Sequence, residues 1–128
     1  MEHPRLFEDG DPLVARVRAL CLALPEAMET LNHGRPSWKA GEKGKAFAVL
    51  GASMDRPDTL VFKPDPAEAP AWREDPRAFV PKYWGPSGWL AIDLDRTALD
   101  AAVTAELIET SYRQVALRRQ LAVLDAVM

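Results

Sequence analysis

Side chains with chemical potential are few in this chain, and most of them crowd into one stretch, NHGRPSWKAGEKGKAFAVLG, from Asn32 to Gly51. It holds His33, one of two histidines, with Ser37 four residues on. It also holds Arg35, Lys39, Lys43 and Lys45 against the single acid Glu42, a local charge of +3 in a chain whose net charge is -3. Such a segment can be a chemical site, a nucleic-acid wing or only a well-made turn. A histidine near a serine suggests a base and a nucleophile, yet catalysis needs the two hydrogen-bonded and the base oriented, which closeness in sequence does not supply. The simpler reading of His33 is a residue that closes a strand, with Gly34 and Pro36 fixing the hairpin. Ser111 beside Tyr112 invites the same triad, but a mid-helix serine more simply bonds back to the preceding turn.

No glycine-rich phosphate loop, no H-E-x-x-H and no G-x-S-x-G elbow occurs, so no catalytic residue is assigned and an enzyme is the less favoured reading. His3 and His33 lack the paired spacing and cysteine company of a zinc site, and no metal or other cofactor is expected. Cys21 is the single cysteine and sits in an apolar helical pattern, which reads as a small core residue.

Cations beside rings are the more informative feature. Trp38 stands between Arg35 and Lys39, and Lys82 precedes Tyr83 and Trp84, a mixture that neutralises phosphates and stacks on bases. The candidate nucleic-acid-binding set is therefore Arg35, Trp38, Lys39, Lys43, Lys45 and Lys82, although most of the aromatic side chains should be core. Net negative charge limits any such binding to weak, nonspecific contact with DNA. No recognition helix is evident, so sequence-specific readout is not supported. The alternative is a protein-interaction or regulatory domain that works through the sheet face or the C-terminal helix, without catalysis.

The elements that must position these residues follow from pattern. With 128 residues and 48% hydrophobic content the chain can bury one core, and it reads as a single domain, 1–128, with 1–10 a loosely ordered tail. Asp11 and Pro12 start a helix whose Leu13, Val17, Leu20 and Leu24 recur at helical spacing up to Pro25. Met28 to His33 alternates as a half-buried strand. Pro36 to Lys39 and Lys45 to Gly51 flank AGEKG, whose Gly41 and Gly44 can supply positive φ. Thr59 to Lys63 is a further strand. Asp65, Pro66 and Glu68 predict a short capped helix closed by Pro76. FVPKYWGPSGWLAIDL then reads as strand, turn and strand, with Leu90, Ile92 and Leu94 on one face and Trp89, Ala91 and Asp93 on the other. Asp93 and Asp95 are expected to cap a final helix that runs without Gly or Pro from Thr97 to Met128.

That last helix has two apolar faces. Leu99, Val103, Leu107, Leu117, Leu121, Leu124 and Met128 form one, and Ile108, Tyr112 and Val115 lie roughly opposite. Either it breaks near Ser111 or its end packs on a partner, and a homodimer through Leu117, Leu121, Leu124 and Met128 is expected. The N-terminal residues carry neither a basic n-region nor an apolar h-region, and no run approaches a membrane span, so a cytoplasmic protein is expected.

HGRPSW (His33 to Trp38), KAFAVL (Lys45 to Leu50), LVFKP (Leu60 to Pro64), GPSGWLAIDL (Gly85 to Leu94) and ELIETSYRQVA (Glu106 to Ala116) together resemble the YjbR/MmcQ-like family of small bacterial proteins. The family's fold is similar to that of the bacterial frataxin homologue CyaY, and its members are often labelled DNA-binding. The resemblance implies an α+β domain: a twisted antiparallel sheet with helices packed on one face. A frataxin-like fold also implies iron held along an acidic first helix. Here that helix carries Arg16 and Arg18 and, after Asp11, no carboxylate before Glu26, the wrong sign for a cation.

Overall fold

A computed structural model describes residues 5–82, 84 and 87–126. Asp11 starts the first helix as its chemistry requires. Its carboxylate accepts the Leu13 N–H at 2.9 Å, Pro12 fills the first turn, and α1 (Pro12–Leu22) buries Leu13, Val14, Val17 and Cys21 along one side. The helix stops two residues short of Leu24, because the ring of Pro25 disfavours helical backbone at the residue before it. Leu6 donates to the Gly34 carbonyl, and Phe7 packs against the core.

Strands β1 (Ala27–Asn32) and β2 (Arg35–Ala40) join through His33 and Gly34. Both turn residues have positive φ, 51° and 85°, which suits a two-residue turn matched to the twist of its strands. Then come β3 (Ala46–Leu50), β4 (Thr59–Phe62), α2 (Ala69–Glu74), β5 (Ala78–Phe79), β6 (Leu90–Asp93), α3 (Ala101–Val115) and α4 (Arg118–Ala126). The six strands form one antiparallel sheet in the order β1-β2-β3-β4-β6-β5, the α+β architecture expected from the sequence. Helices α1 and α3 pack on one face, over Trp38, Leu50, Leu60, Phe62, Leu90 and Ile92. On the second face Val49, Val61 and Ala91 are sealed by Phe79, Trp84 and Trp89. Leu90 and Ile92 thus oppose Ala91, as the alternation requires.

Four local expectations need correction. Helix α2 begins only at Ala69, and Glu68 makes no side-chain cap; Asp65 instead accepts the Ala67 N–H, holding the chain in a turn ahead of the helix. β5 shrinks to two residues, since Pro81 can donate nothing to a ladder. Asp100, not Asp93, caps α3, while Asp95 caps the turn at Thr97 and Ala98 and Asp93 pairs with Arg56. The C-terminal helix breaks at Ala116, five residues after Ser111, where the backbone is extended (ψ 153°). Past the break the Gln120 side chain accepts the Leu117 N–H and restarts a helix in a new direction. That turn returns Leu124 to the chain's own core with Leu121 packed beside it, and leaves Leu117 57% exposed. The centre of the stripe expected to meet a second copy is therefore covered from within; Met128 lies outside the described residues.

One irregularity ties α3 to the sheet. Trp38 faces Ala48 but Lys39 faces Ala46, so Phe47 is the extra residue of a β-bulge. The bulge swings the Phe47 ring into the core, edge-on to Tyr112 at 5.3 Å. The Ser111 hydroxyl donates to the Phe47 carbonyl at 2.5 Å and accepts the Lys63 N–H at 2.8 Å. It does not bond back along its own helix; it stands in for the rung that would otherwise link β3 to the chain just past β4.

A second tie joins three loops. Arg96 forks onto Asp11 (2.6 and 2.9 Å) and onto Asp58 (2.7 and 2.9 Å), linking the α1 cap, the β3–β4 loop and the segment after β6. The Arg96 hydrogen bond holds the Asp11 carboxyl below its ordinary 3.8, against the opposing effect of burial.

Replacing Ser111 by Ala strands a part-buried N–H and a buried C=O, and should cost about 2 kcal/mol or more. Urea denaturation reads this directly, and a midpoint equal to wild type would refute the bridging role. The acid limit tests the second tie. A carboxylate with a depressed folded pKa stabilises the fold above its unfolded value and loses that contribution as pH falls through the folded value. Arg96→Gln should therefore shift acid unfolding to higher pH in a circular-dichroism titration, and an unmoved midpoint would contradict the tie.

Candidate nucleic-acid interface

A cation can serve a ligand only if the fold has not already committed it. Arg18 forks onto Glu29 at 2.7 and 3.0 Å, and the same carboxylate accepts the Trp38 indole N–H at 3.0 Å. Trp38 is 0% exposed, sealed under α1 and bonded at its only donor. It cannot stack on a base without leaving the core, so the stacking role expected from its flanking cations is corrected: the ring is structural.

The remaining candidates separate in space. Arg35 lies at the far end of β2 from the β2–β3 turn, about five rises of ~3.3 Å away. Its side chain lies close to Gly51 and helps line a small pocket with Asp11, Asp58 and Arg96. Lys82 is exposed just past β5, with three strands between β2 and that edge, roughly 19 Å at ~4.8 Å per strand. Its neighbour Tyr83 lies outside the described residues. Lys39, Lys43 and Lys45 come together at the turn itself.

Three backbone bonds of 3.0 Å build that turn: Ala40 N–H to Lys45 O, Gly41 N–H to Lys39 O, and Gly44 N–H to Gly41 O. Gly41 takes φ 93°, as expected, but Gly44 is not in the left-handed region. Its requirement is steric, because an added Cβ would stand 1.9 Å from the Ala40 carbonyl oxygen. Lys43 and Lys45 are exposed, and the Lys39 ammonium donates to the Glu42 carbonyl at 2.6 Å, which caps the loop without neutralising the charge.

Sequence reasoning missed what adjoins this turn. Gln120, 1% exposed, donates to the Ala40 carbonyl at 3.2 Å and to Glu26 at 3.3 Å, so the first turn of α4 is pegged against the β2–β3 end. Arg119 forks onto Glu26. Arg119 and then Gln120 hold the Glu26 carboxyl below its usual range. The signal available in the sequence was RRQ at Arg118 to Gln120, a polar run inside an otherwise apolar helical pattern.

Elsewhere the polar groups are committed. A cleft of about 480 Å³ between β6 and α3 is lined by Leu94, Leu99 and Val103, but Asp95 and Asp100 there serve as caps and Arg77 forks onto Asp75. Among the described residues no three His, Cys, Asp or Glu side chains converge as metal ligands, and no helix is long and apolar enough to cross a membrane.

The YjbR family model matches residues 22–114. The crystal structure of Deinococcus radiodurans protein DR2400, with family-model domain DUF419, is similar at a TM-score of 0.64 and 24% identity. The likeness covers 77% of this chain and 75% of that one, and at this identity it is a likeness of fold. No curated protein matches the chain.

Gly41→Val and Gly44→Val should each destabilise by about 1 kcal/mol or more, the first through φ and the second through collision with Ala40, whereas Lys43→Ala should be nearly silent. Thermal unfolding of the three variants checks this, and equal midpoints would contradict the turn geometry.

Proposed function

We infer the function from a plain premise: the chain belongs to the YjbR family. That membership leaves activity open, so the reading rests on the chain's own surface. It is a small binding module that holds nucleic acid weakly and without sequence preference, through the phosphates, at the β2–β3 turn. The observation that carries this reading is the gathering of Lys39, Lys43 and Lys45 at one hairpin end, none of them ion-paired with a carboxylate among the described residues. Most of the arginines, by contrast, are ion-paired with acids.

The groups that could carry out catalysis are occupied. The Ser37 hydroxyl donates to the Ala48 carbonyl, Ser111 bridges the sheet, and burial pushes the Cys21 thiol up, away from the reactive thiolate. A protein-interaction role is the second reading, favoured by Leu117 and Val123, which stand exposed on or beside α4.

Fluorescence anisotropy with short labelled DNA at low salt decides between them. Each neutralised phosphate contributes about -0.9 to the slope of log affinity against log salt, so three lysines predict a slope of about -2 to -3. Changing Lys39, Lys43 and Lys45 together to Ser should abolish binding with the fold intact, while Arg35→Ser, at the other end of β2, should change little. Absence of binding by the wild type would discard this reading in favour of the protein-interaction one.

A further inference from the structure

We propose that α4 supplies the second half of the same basic surface, with Arg118 as a phosphate contact, and that Glu26 holds Arg119 in reserve as an internal competitor for the ligand. The proposal rests on the reading above and extends it to Glu26 and to Arg118 and Arg119 of α4, the last two beyond the family match, which ends at residue 114.

Placement carries the argument. A Cβ added at Gly41 would lie 3.4 Å from the Gln120 amide nitrogen and 3.7 Å from the Glu26 carboxylate, so the lysine turn, the start of β1 and the first turn of α4 share one end of the molecule. Gln120 fixes that arrangement through the Ala40 carbonyl, the residue next to the turn. Arg118 is exposed and makes no ion pair among the described residues. Among the described residues, the β2–β3 turn and the first turn of α4 carry Lys39, Lys43, Lys45, Arg118 and Arg119, five cations, with Glu42 in the turn and Glu26 beside it, in a protein of net -3.

Phosphates approaching the lysines therefore meet Arg118 as well, and compete with Glu26 for Arg119. The Arg119–Glu26 pair is solvent-exposed, with relative side-chain exposures of 64% and 42%, and exposed pairs of this kind exchange readily for another anion. A polyanion that takes Arg119 leaves Glu26 bonded to Gln120, so α4 keeps its peg.

Charge-matched variants test this on a short fluorescein-labelled duplex, with circular dichroism to confirm the fold. Arg118→Ser should weaken binding about threefold or more and flatten the salt slope by about 0.9, whereas Arg73→Ser, an exposed arginine of α2, should do neither. Glu26→Gln should tighten binding about two- to fivefold, and Glu74→Gln, the same charge change on α2, should not. Binding by the wild type with Arg118→Ser equal to Arg73→Ser and Glu26→Gln equal to Glu74→Gln overturns this proposal and leaves the lysine turn standing. No binding by the wild type overturns both, and loss on Lys43→Ser without loss on Arg118→Ser confines the surface to the hairpin.

Discussion

The fold depends on the way the sheet is completed at Phe47. A bulge puts one extra residue into β3, and the Phe47 carbonyl and the Lys63 N–H need a group between them. Among the described residues the group that bonds both is the Ser111 hydroxyl, on a helix far along the chain. With α3 docked but without the Ser111 hydroxyl, the buried Phe47 carbonyl and the part-buried Lys63 N–H would lack partners, and each such group costs on the order of 1–3 kcal/mol. Helix docking and sheet completion are thus one event. The bulge also turns the Phe47 ring into the core against Tyr112, whose hydroxyl reaches the Pro25 carbonyl at 2.7 Å and so ties the α1–β1 junction to the same helix.

The same logic of commitment sorts the charged side chains. Arg18, Arg56, Arg77, Arg96, Arg113 and Arg119 each have a carboxylate, and several of those pairs join segments distant in sequence. Arg56 also lies over the Phe79 ring at 3.8 Å, closing the second face of the sheet. These arginines hold loops and helix ends to the sheet. The lysines of the β2–β3 turn have no carboxylate partner among the described residues, and Lys39 only caps its own loop, so unpaired positive charge gathers there although the molecule as a whole is acidic.

Local features were legible in the sequence because their causes are local. Asp11 and Pro12 announce α1, the alternation of Leu90, Ala91 and Ile92 assigns their faces, and Gly41 marks a left-handed turn position. What escaped was long-range. Ser111 has partners 64 and 48 residues away, and nothing in its own helix announces them. Trp38 between two cations looks the same in sequence whether its ring faces solvent or Glu29; only the pairing of β1 with β2 decides it. Among the candidate site residues, Lys39, Lys43 and Lys45 were near neighbours in one turn and stayed together, whereas Arg35 was separated from them by the length of a strand and Lys82 by the width of the sheet. The two opposed apolar faces of the last helix pointed to a break near Ser111, but its place at Ala116 was not legible, since alanine favours helix and the cause is a glutamine four residues on.

That break has a consequence for how the molecule comes apart. Helix α4 meets the other elements sparsely, through Gln120, Leu121, Leu124 and the ion pairs of Arg119 and Asp125. It shares no strand ladder and does not support the Phe47 bulge. A segment held in this way opens as its own cooperative unit, at a free energy below that of global unfolding. Withdrawal of α4 would bare the Ala40 carbonyl and the apolar site of Leu124 and would leave every strand pairing of the sheet in place.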